Sequence, residues 1–403
     1  MNPSFMYYAF GVRGMCYART QYKNSSIYLG IHSARESLCC PHCESRNVVK
    51  YGTLMRDIRT LPIGSKRVYL RVKIQRVHCT DCGQIAQEKL HFTTGKRSYT
   101  NKFARYVLSL LRISTIKDVA TLLGISWDTV KEIHKRYLHR RYAYPNFSRL
   151  TNIGIDEFAV QKGHKYKTIV VDLDSGDIVH VGDGKGKDSL DGFWKKVRRH
   201  SAQIKHIATD LSPAFISSVL ENAPDALLVF DHFHVVKLAN DALDKVRRDT
   251  YRLENDINKR RVIKGIRWLL LGNSKDLFDD KHKSRLKNAL ELNMPLMKAY
   301  YLKEDLKEIW MQSSIKLAEN KLNQWVKQAR DSQLQPFIKL ANTILLHRTG
   351  ILAWYRCRIS TAKVEGINNK IKVMKRVAYG FRDQVYFNLR LLGLHDKTNA
   401  FLG

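Results

Sequence analysis

The chain has 403 residues, of which 44% are hydrophobic and 10% aromatic, and it carries 70 Lys and Arg against 37 Asp and Glu. A formal charge of +33 would repel itself in a compact protein, so the composition predicts a polyanionic partner. The apolar content is too high for a disordered basic tail, and no apolar run reaches the roughly 18 residues that a membrane span needs.

The positive charge is concentrated in the first part of the chain. Residues 1–150 hold 26 Lys and Arg against 8 Asp and Glu, whereas residues 151–403 hold 44 against 29. This asymmetry predicts a nucleic-acid-binding front end joined to a more neutral working domain. Near the N-terminus, Arg13 follows a short aromatic stretch, and no basic leader precedes a long apolar one, so we expect a protein that is not secreted. Residues 1–37 suggest no domain of their own.

Two C-x-x-C pairs dominate the cysteine pattern. Cys40 and Cys43 form the first pair, and Cys79 and Cys82 form the second. A two-residue spacer lets both thiolates of a pair reach one ion, so the pattern predicts a structural Cys₄ zinc site in a ribbon over residues 38–92. The alternative is a set of reduced thiols in a small core. The remaining cysteines are expected to be bystanders, although Cys39 could compete with Cys40 as a ligand; they are Cys16, Cys39 and Cys357.

Between the two cysteine pairs, residues 48–51 and 68–77 alternate apolar with polar or basic side chains. Such alternation predicts the strands of the ribbon. Four cations of these strands are expected to share one sheet face and to hold DNA phosphates: Arg67, Arg71, Lys73 and Arg76.

Residues 98–145 are expected to form a helix-turn-helix. Apolar residues recur at helical spacing on either side of Gly124, which suits a turn that needs positive φ, and Ser126 is a good N-cap for the second helix. The alternative is an ordinary helical hairpin within a bundle. The face expected to meet a major groove carries Trp127, Asp128, Lys131, Glu132 and Lys135. Pro145 marks a linker over residues 139–150.

From residue 151 the pattern changes to apolar strands in the order βββαβαβ. The strands are expected at residues 151–160, 166–173, 177–182, 204–210 and 226–231, with helices at 188–200 and 212–222. Three antiparallel strands followed by parallel strands with helical crossovers is the order of the α/β ribonuclease-H-like fold. Asp156 and Asp210 are expected at the C-terminal ends of apolar strands, where open α/β sheets place their ligand sites.

Two divalent metals would need a third carboxylate beside this pair. Glu365 is the one acid between Arg356 and Arg376, in a stretch that is otherwise strongly basic. An acid in the first turn of a helix is also favoured by the helix dipole alone, so the residue has two explanations. Asn369 and Lys372, at i+4 and i+7, are expected on the same helix face, with an amide and a cation near a bound phosphate.

These segments resemble the DDE-type transposases of bacterial insertion sequences, within the ISL-three group. The resemblance is carried by CPHC, CTDCG, IGIDEFAVQKGHKYKTIVVDL, ATDLSPAF, VFDHFHVVKLANDALDKVRR and VEGINNKIKVMKRVAYGFRDQVYFNLRLL, between about residues 38 and 395. It implies a DDE triad at Asp156, Asp210 and Glu365. It also implies a catalytic domain formed by residues 150–240 and 356–395 and interrupted by an all-helical insertion at 241–355.

The resemblance further implies an enzyme that binds the terminal inverted repeats of a mobile element and cleaves and rejoins DNA with two Mg²⁺ or Mn²⁺ ions. Double-stranded repeat ends and target DNA are the expected partners, with at least a homodimer on DNA and no membrane. The expected location is the bacterial cytoplasm, at the nucleoid. Two alternatives remain open: a DNA-binding regulator derived from an inactive transposase, and a ribonuclease-H-like nuclease that does not join strands.

Several residues near the expected site stay ambiguous. Asp231, a third strand-end acid, either supports the metals or caps the helix that follows. His232 and His234 are expected to serve packing and hydrogen bonding. In the insertion, the tryptophans are expected in the helical core, with stacking of one on an unpaired base as the alternative; they are Trp268, Trp310, Trp325 and Trp354.

Overall fold

A computed structural model describes residues 3–161, 165–272, 280–359 and 361–396. Within these ranges no helix is long and apolar enough to cross a membrane. The chain divides into two compact units, the first containing the chain up to Arg141 and the second running from Tyr142 to His395.

The first unit is built on a five-stranded sheet that follows helix α1 (Pro3–Phe10). Its strands are β1 (Met15–Lys23), β2 (Ser26–Ser33), β3 (Val48–Ile63), β4 (Lys66–Cys79) and β5 (Ile85–Gln87). The order is β1-β2-β4-β3, with β5 pairing along β4. The N-terminal residues that suggested no domain therefore supply a helix and a hairpin, and β2 runs parallel to β4 from Ser26↔Arg67 to His32↔Lys73.

The β3–β4 hairpin is longer than the predicted strands. Much of β3 is exposed, so its sequence shows no apolar alternation to read. Gly52, with φ at 123°, lies in a register shift between Lys50 and Thr53, and such a bulge also breaks the sequence period. The core lies against the other half of the hairpin, where Ile58, Leu70 and Val72 are fully buried.

Three helices complete the first unit and confirm the predicted helix-turn-helix pattern. They are α2 (Asn101–Leu110), α3 (Ile116–Leu123) and α4 (Trp127–Tyr142). Thr115 and Asp118 form a capping box at the start of α3. Gly124 has φ at 60°, a left-handed conformation that glycine adopts at little cost. The Ser126 hydroxyl accepts the Thr129 N–H at 3.2 Å, so Ser126 caps α4.

The second unit contains a mixed sheet of five strands. They are β6 (Asn152–Gln161), β7 (Lys165–Asp172), β8 (Ile178–Asp183), β9 (His206–Thr209) and β10 (Leu227–Phe230), in the order β10-β9-β6-β7-β8. Strands β6, β7 and β8 are antiparallel neighbours, and β9 and β10 run parallel to β6. This is the strand order predicted from the βββαβαβ pattern, and the ribonuclease-H-like architecture is confirmed.

One face of this sheet is covered by α5 (Asp191–Arg199) and α6 (Pro213–Asn222). Their amphipathic faces bury Phe193, Trp194 and Phe215 against the strands. The indole N–H of Trp194 donates to Ser218 Oγ at 2.8 Å, so the buried polar atom is satisfied.

Between β10 and residue 361 the described chain is helical, as predicted for the insertion. Its helices are α7 (His232–Leu253), α8 (Ile257–Gly265), α9 (Arg267–Leu271), α10 (Asp280–Glu291), α11 (Met294–Lys307), α12 (Ile315–Asp331), α13 (Gln335–Leu346), α14 (Arg348–Leu352) and α15 (Trp354–Cys357). Trp325 is fully buried, and its indole N–H donates to the Leu302 carbonyl at 2.7 Å. Trp268 is 75% exposed, so the prediction that it lies in the core is wrong. Trp310 and Trp354 are half-buried.

Helices α16 (Ala362–Val377) and α17 (Gln384–Leu392) cover the opposite face of the sheet. Val364, Ile367 and Ile371 are buried there together with Phe387. The basic stretch predicted to be helical begins at Ser360, which lies outside the described residues. The result is a three-layer α/β/α sandwich in which α16 returns from the insertion to the central strand.

Candidate active site

The four cysteines of the two C-x-x-C pairs meet in the first unit. The Sγ atoms of Cys40 and Cys82 are 3.6 Å apart, and so are those of Cys43 and Cys79. All four Sγ atoms lie within 4.8 Å of one another. Four ligands at about 2.3 Å in a tetrahedron would be roughly 3.8 Å apart, so the cluster fits one structural zinc ion.

The two pairs are folded by the same local hydrogen bonds. The Glu44 N–H donates to the Cys40 carbonyl at 2.9 Å, and the Gly83 N–H donates to the Cys79 carbonyl at 2.9 Å. Both Glu44 and Gly83 have positive φ. Backbone N–H groups of Cys43 and His42 lower the pKa of Cys40 to about 6, which favours the thiolate that a metal binds. The Ser45 N–H acts to lower the pKa of Cys43, but hydrogen bonding to Cys82 and burial raise it to about 12. The turns therefore gather the four sulfur atoms around one point without holding all of them as thiolates.

The remaining cysteines lie outside this cluster. Cys39 is exposed although it precedes Cys40 directly, Cys16 is exposed, and Cys357 is half-buried in the second unit. The four-cysteine cluster is the one group of three or more potential metal ligands within 4.8 Å among the described residues. The expectation that Cys39 could compete for the ion finds no support in this geometry.

In the second unit, sheet register brings Asp156 and Asp210 together. Ile155 pairs with Thr209 in the parallel β6–β9 ladder, so the residues that follow each of them lie side by side on strands about 4.8 Å apart. The prediction that Asp156 lies at the end of its strand is wrong, because β6 continues to Gln161, where it pairs with β7 alone. Asp156 lies beside the end of β9, and the gap left next to β6 there forms a crevice at the end of a strand.

Both acids are partly buried, and the Asp210 charge disfavours ionisation of Asp156. Burial raises the pKa of Asp156 to about 6, with the Asp210 charge adding to the effect and hydrogen bonds from Glu157 N–H and Asn368 opposing it. Burial also raises the pKa of Glu157 to about 7, and the charges of Asp210 and Asp156 contribute. No Lys or Arg forms an ion pair with these three carboxylates in the described parts of the chain. A divalent cation would supply the missing positive charge.

Sequence reasoning missed Glu157. It follows Asp156 directly, and strand alternation predicts that neighbouring side chains point to opposite faces. Its interactions with Asp210, His234 and Lys185 arise because β6 extends past the end of β9. No pattern in the sequence indicates where the neighbouring strand stops.

Helix α16 is held close to the carboxylate pair by a small residue and an amide. A Cβ on Gly154 would lie 2.6 Å from Val364 Cγ2, so only glycine at this position allows the helix to approach. The Asn368 amide donates to Asp156 Oδ2 at 2.7 Å. The predicted supporting residue, Asn369, is exposed and accepts a hydrogen bond from Lys372 at 3.3 Å. The amide that contacts the site is therefore one residue earlier than predicted.

Glu365 lies in the first turn of α16, one helical turn before Asn368. Its side chain is exposed, and its N–H donates to the Thr361 carbonyl at 2.9 Å. The carboxylates of Asp156, Asp210 and Glu365 do not all lie within 4.8 Å of one another. The structure thus places Glu365 on the helix that contacts Asp156, while its carboxylate faces solvent.

Asp231 is confirmed as a helix cap. Its carboxylate accepts the Phe233 N–H at 3.3 Å and the His232 Nδ1 at 3.1 Å, and the Thr361 hydroxyl donates to its other oxygen. Burial acts to raise the pKa of Asp231, but the hydrogen bonds from His232 and Thr361 outweigh it and lower the pKa. Both oxygens have protein donors, and this occupancy argues against a role as a metal ligand.

The predicted basic face of the ribbon is only partly realised. Arg67 and Lys73 are exposed on the face opposite the buried core of β4. Arg71 lies on that face but makes a bidentate pair with Asp57 at 2.8 Å and packs over the Tyr28 ring. Arg76 extends from the other face, where the core ends at Ile74. The four cations therefore do not form one set, because strand alternation separates residue 76 from the odd-numbered positions.

The outer face of α4 carries the residues predicted to meet a groove. Trp127 is exposed, and Lys131 Nζ lies 5.2 Å from its ring centroid. Glu132 is within 3.9 Å of Arg136, and Lys135 is half-buried. An aromatic ring and a cation one turn apart form a compact surface for contacts with a nucleic acid.

A second cationic surface lies toward the C-terminus of α16. An open cavity of about 330 Å³ is lined by Lys372, Lys375, Arg376 and Gly380. Lys375 Nζ also donates to the Ala159 carbonyl on β6 at 2.6 Å. This cavity, which includes the predicted DNA contact Lys372, is on the same helix as Asn368.

Comparisons with known proteins match each of the three regions of the chain to a family model. Residues 153–391 match the family model described as a transposase, residues 36–82 that of the zinc-finger of transposase IS204/IS1001/IS1096/IS1165, and residues 88–138 that of the helix-turn-helix domain of transposase family ISL3. The chain is 34% identical to the transposase for insertion sequence element IS1001 of Bordetella parapertussis, over 95% of this chain and 94% of the relative.

It is also 30% identical to the transposase for insertion sequence element IS1557 of Mycobacterium tuberculosis, over 85% of this chain and 82% of the relative. Among solved structures, the Drosophila P element transposase strand transfer complex aligns with a TM-score of 0.42 and 13% identity, covering 73% of this chain and 91% of that chain.

Proposed function

The chain belongs to transposase family ISL3, and from that premise we propose that Asp156, Asp210 and Glu365 are the carboxylates with which it cuts and rejoins DNA. The observation that carries the proposal is the partly buried pair Asp156 and Asp210, brought side by side by the β6–β9 register with no ion pair to Lys or Arg in the described parts of the chain. The family makes the protein a DNA transposase with a zinc ribbon and a helix-turn-helix. The residues and the chemistry assigned here go beyond that.

The donor set suits a hard divalent cation. Carboxylate oxygens are the ligands that Mg²⁺ and Mn²⁺ prefer, and Asp156 and Asp210 would hold the ions together with Glu365. When bound, two such ions supply Lewis-acid stabilisation of the attacking and leaving oxygens. The protein's contribution is orientation: Asn368 fixes Asp156 through Oδ2, and Gly154 allows α16 to lie against β6.

The proposed reaction is a pair of in-line displacements at phosphorus. In the first, the oxygen of a water forms a bond to phosphorus and the 3′-oxygen of the neighbouring nucleotide leaves. In the second, that freed 3′-hydroxyl attacks a target phosphodiester and a new 3′-oxygen leaves. Each step makes one P–O bond and breaks one, and no covalent protein intermediate forms.

Substrate DNA would be held by cations of both units. We assign the backbone phosphates near the scissile bond to Lys372, Lys375 and Arg376 because these residues line one cavity on the helix that carries Glu365. Terminal inverted repeats would be read by α4 through Trp127, Lys131 and Lys135, with Arg67 and Lys73 of the ribbon on phosphates. One structural zinc ion would hold the two C-x-x-C pairs of the ribbon together. Cutting two element ends together requires at least a dimer on DNA, and the substrate places the protein at the bacterial nucleoid.

The test uses a labelled duplex containing one element end and flanking DNA, incubated with Mg²⁺ at single turnover. The wild type is expected to nick at the element boundary and, with target DNA present, to give a joined product. Asp156→Asn should lower the cleavage rate by about 10²–10³-fold, because it removes a preorganised charge next to the reacting phosphate. Asp225→Asn, an exposed acid in the loop before β10, is the matched control and should cut like wild type.

The rival functions give different products. A regulator derived from an inactive transposase would bind the end and leave it uncut at every Mg²⁺ concentration. A ribonuclease-H-like nuclease would nick without giving a joined product. Cleavage by Asp156→Asn at the wild-type rate would remove the carboxylate assignment.

A further inference from the structure

We propose that Asp231 and Thr361 are positioning residues for the reaction: together they fix the first turn of α16 so that Glu365 can join the aspartate pair. This inference rests on the proposed catalytic role of Glu365. The hydrogen-bonded pair is called the Asp231–Thr361 clasp below. It connects the residue after β10 with the residue before α16 across a sequence separation of 130.

The clasp is a buried polar contact. Asp231 and Thr361 are each 3% exposed, and the Thr361 hydroxyl donates to Asp231 Oδ2. The other carboxylate oxygen is used by the Phe233 N–H at the start of α7 and by His232 Nδ1. One carboxylate thus holds the starts of two helices, the first leading into the insertion and the second returning from it. A buried carboxylate with a full set of donors is rigid, because losing any donor leaves an unsatisfied charge.

The threonine is used in an unusual way. A Thr at an N-cap ordinarily accepts a backbone N–H from the first turn of its own helix. At the start of α16, Thr361 makes no such side-chain cap. Its hydroxyl is directed instead to Asp231, so a local contact is replaced by a long-range one. Thr361 has φ at −83° and ψ at 10°, outside the extended conformation of an ordinary N-cap, and its hydroxyl reaches Asp231 instead.

The connection to Glu365 is short. The Thr361 carbonyl accepts the Glu365 N–H at 2.9 Å, so the residue that binds Asp231 through its side chain also forms the first helical hydrogen bond to Glu365. Asp231 follows Phe230, which pairs with Thr209, the residue before Asp210. The clasp therefore fixes the Glu365 turn relative to the strand end that carries Asp210, while Asn368 fixes the next turn relative to Asp156.

Two substitutions at Thr361 distinguish the effect of the hydroxyl group from the effect of side-chain size and shape. Thr361→Val keeps the volume and removes the donor, whereas Thr361→Ser keeps the donor. Thr343→Val is the matched control, because the Thr343 hydroxyl bonds to the Lys339 carbonyl of its own helix at 3.1 Å. Each full-length protein is assayed for single-turnover cleavage of the labelled element end over a series of Mg²⁺ concentrations, and for binding of the same end without divalent ions.

The expected result is a 10–100-fold loss of cleavage rate, or an equal rise in the Mg²⁺ concentration for half-maximal rate, in Thr361→Val, the range typical for residues that orient metal ligands. End binding should stay near that of the control, the thermal midpoint should fall by a few degrees because buried Asp231 loses one donor, and Thr361→Ser should cut within about threefold of wild type. Asp231→Asn combined with Thr361→Val should add little to the larger single loss, since both remove one contact.

Wild-type cleavage by Thr361→Val would overturn the proposal. So would equal losses in Thr361→Val and Thr361→Ser, or a cleavage loss matched by an equal loss of end binding, because either result indicates a role in folding alone. Asp156→Asn, assayed in parallel, distinguishes failure of the proposed catalytic assignment from failure of the clasp. If it also cuts normally, the catalytic assignment fails; if it is inactive while Thr361→Val is normal, only the clasp fails.

Discussion

The two ligand sites of this protein differ in how completely the chain assembles them. In the ribbon, four thiols already lie at distances that suit one ion, because two local turns with the same hydrogen bonds place them. In the second unit, Asp156 and Asp210 are adjacent, while Glu365, the proposed third carboxylate, is exposed on a helix 155 positions further along than Asp210. The chain thus completes a closed structural site by itself but leaves the acidic site incomplete.

Electrostatics explains the difference. Thiols can stay protonated and neutral until a metal arrives, so four of them can be packed together without charge repulsion. Burial raises the pKa of Asp156 and of Glu157, and repulsion by the charge of Asp210 adds to the shift in both. A third carboxylate would add to that repulsion unless cations entered with it. An acidic site that closes around its ions is therefore the expected design for a metal-dependent enzyme.

The largest expected effect is on the ribbon. Cys40→Ser should remove the bound zinc, about one ion per chain, and unfold the ribbon, since zinc binding to such sites contributes roughly 10–16 kcal/mol of folding free energy. Cys39→Ser is the neighbouring control and should retain full zinc. Metal analysis measures the zinc content of each variant, and far-ultraviolet circular dichroism measures its folding. A folded, zinc-free Cys40→Ser protein that still binds element ends would show that the cluster is not a zinc site.

The acidic site should respond to pH when divalent ions are absent. The pKa of Asp156 is raised to about 6 in the folded protein from an ordinary value of 3.8, so the fold favours its protonated form. Stability from this group is fully present below about pH 4 and is lost as pH rises through about 6, by on the order of 3 kcal/mol at most.

The measurement is the free energy of unfolding of wild type relative to Asp156→Asn between pH 4 and 8, in chelator. The wild type should become less stable relative to the variant as pH rises, and Mg²⁺ should restore stability at pH 7 to 8. A difference that is constant across this range would contradict the account of a repelling carboxylate pair.

A smaller effect is expected where the helix meets the pair. Asn368→Ala removes the 2.7 Å hydrogen bond to Asp156 Oδ2 and should slow cleavage by about 10–100-fold, equivalent to roughly 1.4–2.7 kcal/mol. Asn369→Ala changes the exposed neighbour and should leave the rate within about twofold of wild type. Single-turnover cleavage of the labelled end compares the two variants. Equal rates would mean that the Asn368 contact does not orient Asp156.

Local patterns were predictable from the sequence, and long-range placement was not. The cysteine knuckles, the Gly124 turn, the Ser126 cap and the five-strand order were confirmed, because each depends on residues close together in the chain. The β3 strand was predicted only over its first four residues and the hairpin β1–β2 was missed; β1 has no buried residue and β3 is mostly exposed up to Asp57, so few apolar positions mark a strand there.

The differences from the sequence predictions have separate causes. Asn369 shares the exposed side of α16 with Glu365, as its i+4 spacing predicts, but the amide that reaches Asp156 belongs to Asn368. Glu157 was missed and Asp156 was placed at a strand end because the length of β9 relative to β6 sets both positions. Trp268 was expected in the core and is exposed, since helical spacing alone does not show which face another helix covers.

Glu365 is proposed to complete the carboxylate set when metal and DNA are present. The most direct measurement is single-turnover cleavage of a labelled element end by Glu365→Gln, which keeps the size of the side chain and removes its charge, with Glu319→Gln in the helical insertion as the control. If Glu365 has this role, the cleavage rate of Glu365→Gln should fall by about 10²–10³-fold with end binding unchanged, while the control cuts normally. Cleavage by Glu365→Gln at the wild-type rate would contradict it and leave the dipole of α16 as the reason for an acid at this position.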